Sequence, residues 1–194
     1  MRIILMGPPG AGKGTQSRVI AARLKVPAIS TGDIFRANVS AGTPLGLEAQ
    51  RYMDAGDYVP DEVTNEMVRD RIAEDGAHNG FLLDGYPRTV AQVDELDTML
   101  ADSGHAIDAV VVLRVDGDEL VHRLLQRAKL EGRTDDTEDV VRRRQEVYVE
   151  QTAPLLEVYA ARRLLVDVDG TGEVDKVTAR VFDALDGTRG AAAR

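Results

Sequence analysis

Nine consecutive residues, Gly7-Pro8-Pro9-Gly10-Ala11-Gly12-Lys13-Gly14-Thr15, hold the densest concentration of chemistry in this chain. Glycines let a backbone wrap closely around an anion. Successive N–H groups and a helix N-terminus then face that anion, and a lysine reaches its outer oxygens. The pattern reads as a loop for nucleotide phosphates. In the commonest form a Ser or Thr follows Gly-Lys and binds Mg²⁺ directly. Here Gly14 stands in that place and Thr15 comes one position later. No direct protein ligand to the metal is therefore expected. Mg²⁺ should be held mostly by phosphates and water, which suits an enzyme whose two substrates bring the phosphates.

A second candidate group is Asp84, which ends the apolar run Phe81-Leu82-Leu83. At the end of a strand in a parallel sheet its carboxylate would land beside the phosphate loop, where it could orient the water shell of a metal. The plainer alternative is an aspartate that caps a turn. Positive charge is available from six separate segments, in Lys13, Arg36, Arg88, Arg127, Arg133 and Arg144. Guanidinium forks pair bidentately with phosphate oxygens, so convergence of these groups on one cleft would hold polyanions. Arg142 and Arg143 read as solvated surface side chains. His78, His105 and His122 fall in no motif, and no Ser–His–Asp arrangement is suggested. Phosphoryl transfer does not need one, because it runs on positioning and charge stabilisation.

The elements that must position these groups follow from short apolar runs alternating with helical patterns, which implies an α/β fold with a mainly parallel sheet. Strands are expected at Arg2–Met6, Pro27–Ile29, Phe81–Asp84, Ala109–Val115 and Leu164–Val168. Helices are expected at Thr15–Leu24, Gly32–Ser40, Pro44–Ala55, Asp61–Asp75, Thr89–Ser103, Asp118–Gln126 and Val174–Leu185. A long helix should run from Glu138 and be disturbed near Pro154. Gly42 and Gly56 sit where helix C-caps belong, and Pro44 suits a first turn. The three helices before Phe81 exceed what one crossover needs and could form a subdomain beside the core. Gly187–Arg194 lacks an apolar pattern and reads as a frayed, disordered tail.

Composition narrows the class. With 194 residues the chain suits one domain, and its formal net charge of −9 argues against a partner in nucleic acid or an anionic membrane. The absence of cysteine excludes disulfides, thiolate metal sites and a cysteine nucleophile. The longest strictly apolar run, Ala109–Leu113, is far short of a bilayer span, and Met1–Gly7 is too short for a signal peptide. A cytoplasmic protein is expected. Arginine outnumbers lysine twenty to four, which carries no functional information by itself.

Three motifs in order make the resemblance specific: the phosphate loop, Ser30-Thr31-Gly32-Asp33 with Arg36, and Asp84-Gly85-Tyr86-Pro87-Arg88. Together they resemble the adenylate kinase family over nearly the whole chain. The resemblance implies a three-layer phosphate-loop fold with a central parallel sheet, spanning residues 1–186. Residues 30–59 would be a helical monophosphate-binding segment and residues 127–137 a short lid. It implies reversible transfer from ATP to AMP giving two ADP, with Mg²⁺ on ATP, in a monomer that balances adenine nucleotides. It assigns Gly10, Ala11, Gly12, Lys13, Gly14, Thr15, Arg127 and Gly172 to ATP. Thr31, Arg36, Asp57, Tyr58, Val59, Gly85, Tyr86, Pro87, Arg88 and Gln92 are assigned to AMP. Arg133 and Arg144 would close on the transferring phosphate, with Asp135 and Asp136 positioning the lid arginines. Lys13, Asp84, Arg88, Arg127, Arg133 and Arg144 form the implied catalytic set.

Two other readings stand beside this one. A kinase of CMP or UMP would share fold and chemistry, but related pyrimidine-monophosphate kinases usually carry alanine in place of Thr31 and phenylalanine in place of Tyr86. Thr31, Tyr86 and Gln92 together favour adenine. A non-catalytic ATP-binding regulatory module would have no reason to hold Arg36 and Gly85–Arg88 for a second nucleotide. A GTPase is disfavoured because no Asn-Lys-x-Asp segment appears.

Overall fold

The structure, a computed structural model, describes residues 1–74, 77–117, 119, 120, 123, 124, 126 and 137–192, with side chains as far as 187. Five parallel strands form one sheet: β1 (Arg2–Met6), β2 (Ala28–Ser30), β3 (Phe81–Asp84), β4 (Ala109–Arg114) and β5 (Leu165–Asp169), in the order β2-β3-β1-β4-β5. The central strands β1, β3 and β4 are apolar almost throughout, because a parallel sheet is covered on both faces. β5 lies at an edge and alternates instead, leaving Asp167 and Asp169 exposed. Charge on an edge strand discourages pairing with another chain.

Alternate residues along each strand feed opposite cores. Ile4, Met6, Leu83, Val110 and Val112 face one cluster with Val93, Leu96, Leu155 and Tyr159. Ile3, Leu5, Leu82, Val111 and Leu113 face the other with Ile20, Val177 and Val181. The first cluster is covered by α4 (Asp61–Ala73), α5 (Val90–Ala101) and α7 (Leu155–Ala161), the second by α1 (Lys13–Leu24) and α8 (Val174–Ala192). Leu83 is fully buried, and its truncation to alanine is expected to cost about 2–5 kcal/mol.

The helical excursion before β3 is built from α2 (Thr31–Ala41), α3 (Pro44–Ala55) and α4. It has a small apolar cluster of its own in Phe35, Ala49 and Val59. Gly42 and Gly56 cap α2 and α3 in the left-handed conformation, and Pro44 opens α3, as their positions in the sequence suggest. Gly46 answers a different need. A Cβ there would lie 2.2 Å from the Asn38 carbonyl oxygen, so only glycine lets α3 approach α2 this closely.

After β4, residues Gly117, Glu119, Leu120, Arg123, Leu124 and Gln126 are helical. The lid segment lies outside the described residues up to Thr137, and with it Arg127, Arg133, Asp135 and Asp136; His122 also lies outside them. The helix expected from Glu138 is interrupted as Pro154 requires. α6 (Glu138–Val147) runs into a wide turn, Tyr148–Thr152, closed by the Ala153 N–H on the Tyr148 carbonyl at 2.8 Å, and α7 follows Pro154. Proline has no N–H and crowds the carbonyl four residues before it, so a regular helix cannot pass.

Several other boundaries move by one or two residues from the expected ones, among them the start of α1 at Lys13 and the end of β4 at Arg114, and three differences have a clear physical setting. β2 is shifted by one residue, to Ala28–Ser30, because its pairing with β3 sets its register. β5 is shifted by one residue as well, to Leu165–Asp169, with register set by β4. The last helix continues to Ala192, beyond the end of the apolar stripe at Leu185.

Candidate functional site

β1 delivers the chain into the loop Gly7–Gly12, and α1 begins at Lys13. Gly12 is the N-cap of α1 with φ near +90°, a conformation that glycine adopts without strain. No side chain caps this end of the helix, and its first turn holds no acidic residue. Such an end favours an anion through its N–H groups and dipole. The Lys13 ammonium donates to the carbonyls of Gly7 at 2.7 Å and Pro8 at 2.9 Å. The loop thus holds its lysine folded across its own backbone.

Asp84 ends β3 next to this loop. Its Oδ2 lies 3.8 Å from where a Cβ of Gly14 would stand. Asp84 is 7% exposed, and burial raises its pKa above the ordinary value while Lys13 and then Arg88 pull it back. The carboxylate therefore sits between two cationic neighbourhoods.

The turn after β3 forms the second of these neighbourhoods. Gly85 has φ near +80°, and a Cβ there would meet the Arg88 guanidinium at 2.8 Å and the Thr31 hydroxyl at 2.9 Å. Both groups bond the Gly85 carbonyl, Thr31 Oγ1 at 3.0 Å and Arg88 Nε at 2.7 Å. The Arg88 guanidinium also lies over the Tyr58 ring, 4.7 Å from its centroid. Arg36 reaches in from α2 and pairs with Asp33 at 2.5 Å.

Beneath the turn runs a buried polar network. Gln92 is 1% exposed; its Oε1 accepts from the Arg88 N–H at 2.7 Å and its Nε2 donates to Asp61 at 2.6 Å. Asp61 also accepts from the Thr89 hydroxyl at 2.7 Å. The Tyr86 hydroxyl donates to Asn65 at 2.8 Å, and burial raises its pKa well above the ordinary range. Tyr86 and Gln92 thus support the turn through their polar groups.

Lys13, Asp84, Arg36, Tyr58, the Gly85–Arg88 turn and Gln92 line one cleft of about 750 Å³ at the carboxyl ends of the strands. Into it the structure brings every candidate residue that lies among those described. Gly10–Thr15 and Gly172 line it, as do Thr31, Arg36, Asp57, Tyr58, Val59, Gly85–Arg88, Gln92, Asp84 and Arg144. Arg127 and Arg133 lie outside the described residues.

Of the two arginines read as solvated surface side chains, one behaves differently from expectation. Arg143, read as solvated, donates to Asp57 at 2.8 Å, so the Asp57 carboxylate is engaged by α6. Gly56 permits this contact, since a Cβ there would press on the Val140 carbonyl and the Arg143 side chain. Arg142 is exposed, as expected, and pairs with Glu138 within its own helix. Sequence reasoning also missed Arg123, which lines the cleft, pairs with Glu119 at 2.8 Å and donates to the Gly170 carbonyl at 3.2 Å. Its spacing after β4 gave no motif by which to find it. Thr152 was missed for the same reason, although it too lines the cleft.

Among the described residues no three His, Cys, Asp or Glu side chains gather as metal ligands. A lone strand-end carboxylate fits a cation already carrying phosphates and water, since Mg²⁺ keeps several of its waters.

A parallel sheet with ligand groups at its carboxyl edge, a glycine-rich loop leading into α1, and one cleft lined by Lys13, Arg36, Arg88, Arg123 and Arg144 define a phosphate-loop nucleotide-binding protein. The family model described as "Adenylate kinase" matches residues 5–164. The adenylate kinase of a Nocardioides species is 72% identical over 186 residues, covering 96% of this chain and 97% of its own. That of Kocuria rhizophila is 62% identical over 185 residues, covering 95% and 98%. That of Thermobifida fusca is 57% identical with the same coverage, 95% and 98%. The chain belongs to the adenylate kinase family.

Proposed function

We propose that this protein transfers a phosphoryl group reversibly from ATP to AMP, giving two ADP, and so balances adenine nucleotides. The observation that supports this reading most strongly is that one cleft is lined both by the phosphate loop with Lys13 and by Arg36 and Arg88, with Asp84 next to Gly14 and one residue before the Gly85 carbonyl that Arg88 bonds. One anion site would suffice for hydrolysis or switching. Cationic groups from separate segments lining a shared cleft suit a donor and an acceptor that both carry phosphates.

In this mechanism Gly10–Thr15 wrap the ATP phosphates and Gly172 faces the adenosine end. Lys13 leaves the Gly7 and Pro8 carbonyls for the phosphate oxygens, exchanging one set of hydrogen bonds for another. Arg36 and Arg88 hold the AMP phosphate, and Thr31, Tyr58, Val59 and the Gly85–Arg88 turn shape the acceptor pocket. An AMP phosphate oxygen attacks the γ-phosphorus in line, forming one P–O bond as the bond to the ADP leaving group breaks. Arg144 is placed to offset charge on the moving group, with Arg127 and Arg133 as its partners by resemblance. Mg²⁺, when bound with ATP, neutralises phosphate charge; Asp84 would hold it through water.

The same reading carries a cytoplasmic monomer with no nucleic acid or membrane partner. The net charge of −9 supports the absence of a polyanionic partner. Among the described residues no helix is long and apolar enough to cross a membrane. Light scattering on the purified protein tests the monomer.

The reaction itself is tested by a phosphorus NMR time course with ATP and Mg²⁺, run separately with AMP, CMP, UMP, GMP and no acceptor. ADP formed with AMP alone, without inorganic phosphate, is the expected result. Faster turnover with CMP or UMP would overturn the adenine assignment. No transfer to any acceptor would overturn the enzymatic one.

A further inference from the structure

Thr152 lies at the end of the wide turn between α6 and α7, 5% exposed. Its hydroxyl donates to the Arg88 main-chain carbonyl at 2.9 Å. The Tyr58 hydroxyl lies 2.8 Å from the same oxygen. A threonine hydroxyl has a single hydrogen, already given to Arg88, so Tyr58 is the donor in the second bond. The chain of bonds therefore runs from Tyr58 to Thr152 to Arg88.

This small relay ties three separate parts of the cleft together. Tyr58 comes from the connection between α3 and α4, Arg88 from the turn after β3, and Thr152 from the element that follows Arg144. Arg88 is thereby held along its main chain and at its Nε. Its N–H is taken by Gln92, its carbonyl by Thr152 and its Nε by the Gly85 carbonyl, and the Tyr58 ring lies against its guanidinium. Tyr58 is itself fixed by the hydroxyl that Thr152 anchors.

The wide turn gives the relay its direction. One extra residue in a turn rotates everything beyond it by about 100° about the helix axis. Without that insertion, a regular helix through Tyr148–Thr152 would carry Thr152 to another face, and Pro154 removes the alternative of continuing regularly.

We propose that Thr152 is a positioning residue for the acceptor side of the reaction, fixing the Arg88 main chain directly and the ring against its guanidinium through Tyr58. The proposal rests on the reading of Arg88 as a holder of the AMP phosphate. Thr152 touches neither nucleotide in this account. It acts by restricting where the Arg88 fork can point, which is worth more for a planar bidentate group than for a flexible ammonium.

The test is steady-state kinetics with ATP and AMP varied in turn, on Thr152→Val, Thr152→Ser, Tyr58→Phe and Arg88→Ala. Valine keeps the shape and removes both hydrogen bonds; the expected result is a rise of about tenfold in KM for AMP. KM for ATP should stay within about twofold of the parent. Serine restores the parent value, because it supplies the same hydroxyl. Tyr58→Phe raises KM for AMP by a smaller factor, and adding it to Thr152→Val changes little further, since the two act through one relay.

An unchanged KM for AMP in Thr152→Val, or equal rises for both nucleotides, would overturn the proposal. Should the valine variant not fold, an unchanged KM for AMP in Tyr58→Phe would overturn it as well. Arg88→Ala separates the two levels. If it raises KM for AMP selectively while Thr152→Val does nothing, the relay fails and the acceptor assignment stands. If Arg88→Ala shows no selectivity, the acceptor assignment itself fails.

Discussion

The Arg143 guanidinium donates from Nε to the Asp57 carboxylate at 2.8 Å, joining residues separated by 86 positions in the chain. The pair links α6, whose next residue is Arg144, to the connection that carries Tyr58 and Val59. Both side chains are 42% exposed, so water and salt weaken the attraction.

Replacing Arg143 by methionine is therefore expected to raise KM for AMP by no more than about fivefold, the scale of a surface ion pair. The difference from the parent should shrink as salt is raised. Kinetics at low and high ionic strength check both statements.

Lys13→Ala removes the only side-chain charge within the phosphate loop. Turnover is expected to fall by about a thousandfold or more, as when a preorganised charge is deleted from a phosphoryl-transfer site. The fold should survive, because the lysine donates to carbonyls of its own loop, Gly7 and Pro8, and lies outside the apolar clusters of the core. Circular dichroism melting measured beside turnover separates lost chemistry from lost structure.

Asp84→Asn should move stability and activity in opposite directions. Burial raises the Asp84 pKa, so between its ordinary value and the raised one the folded protein binds more protons than the unfolded chain. Stability therefore falls as pH climbs through that window, and the carboxylate is a net cost above it. The amide variant should lack this dependence and melt at or above the parent temperature at neutral pH. Turnover should drop by about a hundredfold. Melting curves across acidic to neutral pH, with turnover at neutral pH, test the pair of statements.

Tyr159 offers a site for stabilisation away from the cleft. Its hydroxyl is buried in the core and has no hydrogen-bond partner among the described residues. Tyr159→Phe should stabilise by about 1 kcal/mol, the usual scale for an unsatisfied buried polar group. For a chain of this size that corresponds to a rise of about 2–4 °C in Tm. Calorimetry would register it, and turnover should stay at the parent level.

Much of the architecture could be read from the chain because its signals were local. β1, β3 and α3 begin and end where the apolar runs and Pro44 place them, and Gly42 and Gly56 cap the helices they follow. The loop Gly7–Thr15 declares itself by spacing alone. The part that stayed hidden depends on contacts between distant segments. Nothing near Arg143 marks Asp57 as its partner, and nothing near Thr152 points to Arg88. Arg123 reaches the cleft only because the segment after β4 returns over the loop. The hydroxyl of Tyr86 and the amide of Gln92 are bonded to Asn65, Asp61 and the Arg88 N–H. That partnership needs three elements packed together before it can be seen.

The close approach at Gly46 bears on how the acceptor side can move. Backbone of α3 rests on backbone of α2, and Thr43 fastens the join through Asn38 Oδ1 at 2.8 Å. No layer of side chains lies between the two helices there to slide or repack. They must travel as one plank, so any swing toward the phosphate loop has to be taken up at its two ends, at Ser30–Thr31 and at Val59–Pro60. A substitution that stiffens either end should slow such a swing, whereas one that enlarges Gly46 would split the plank itself.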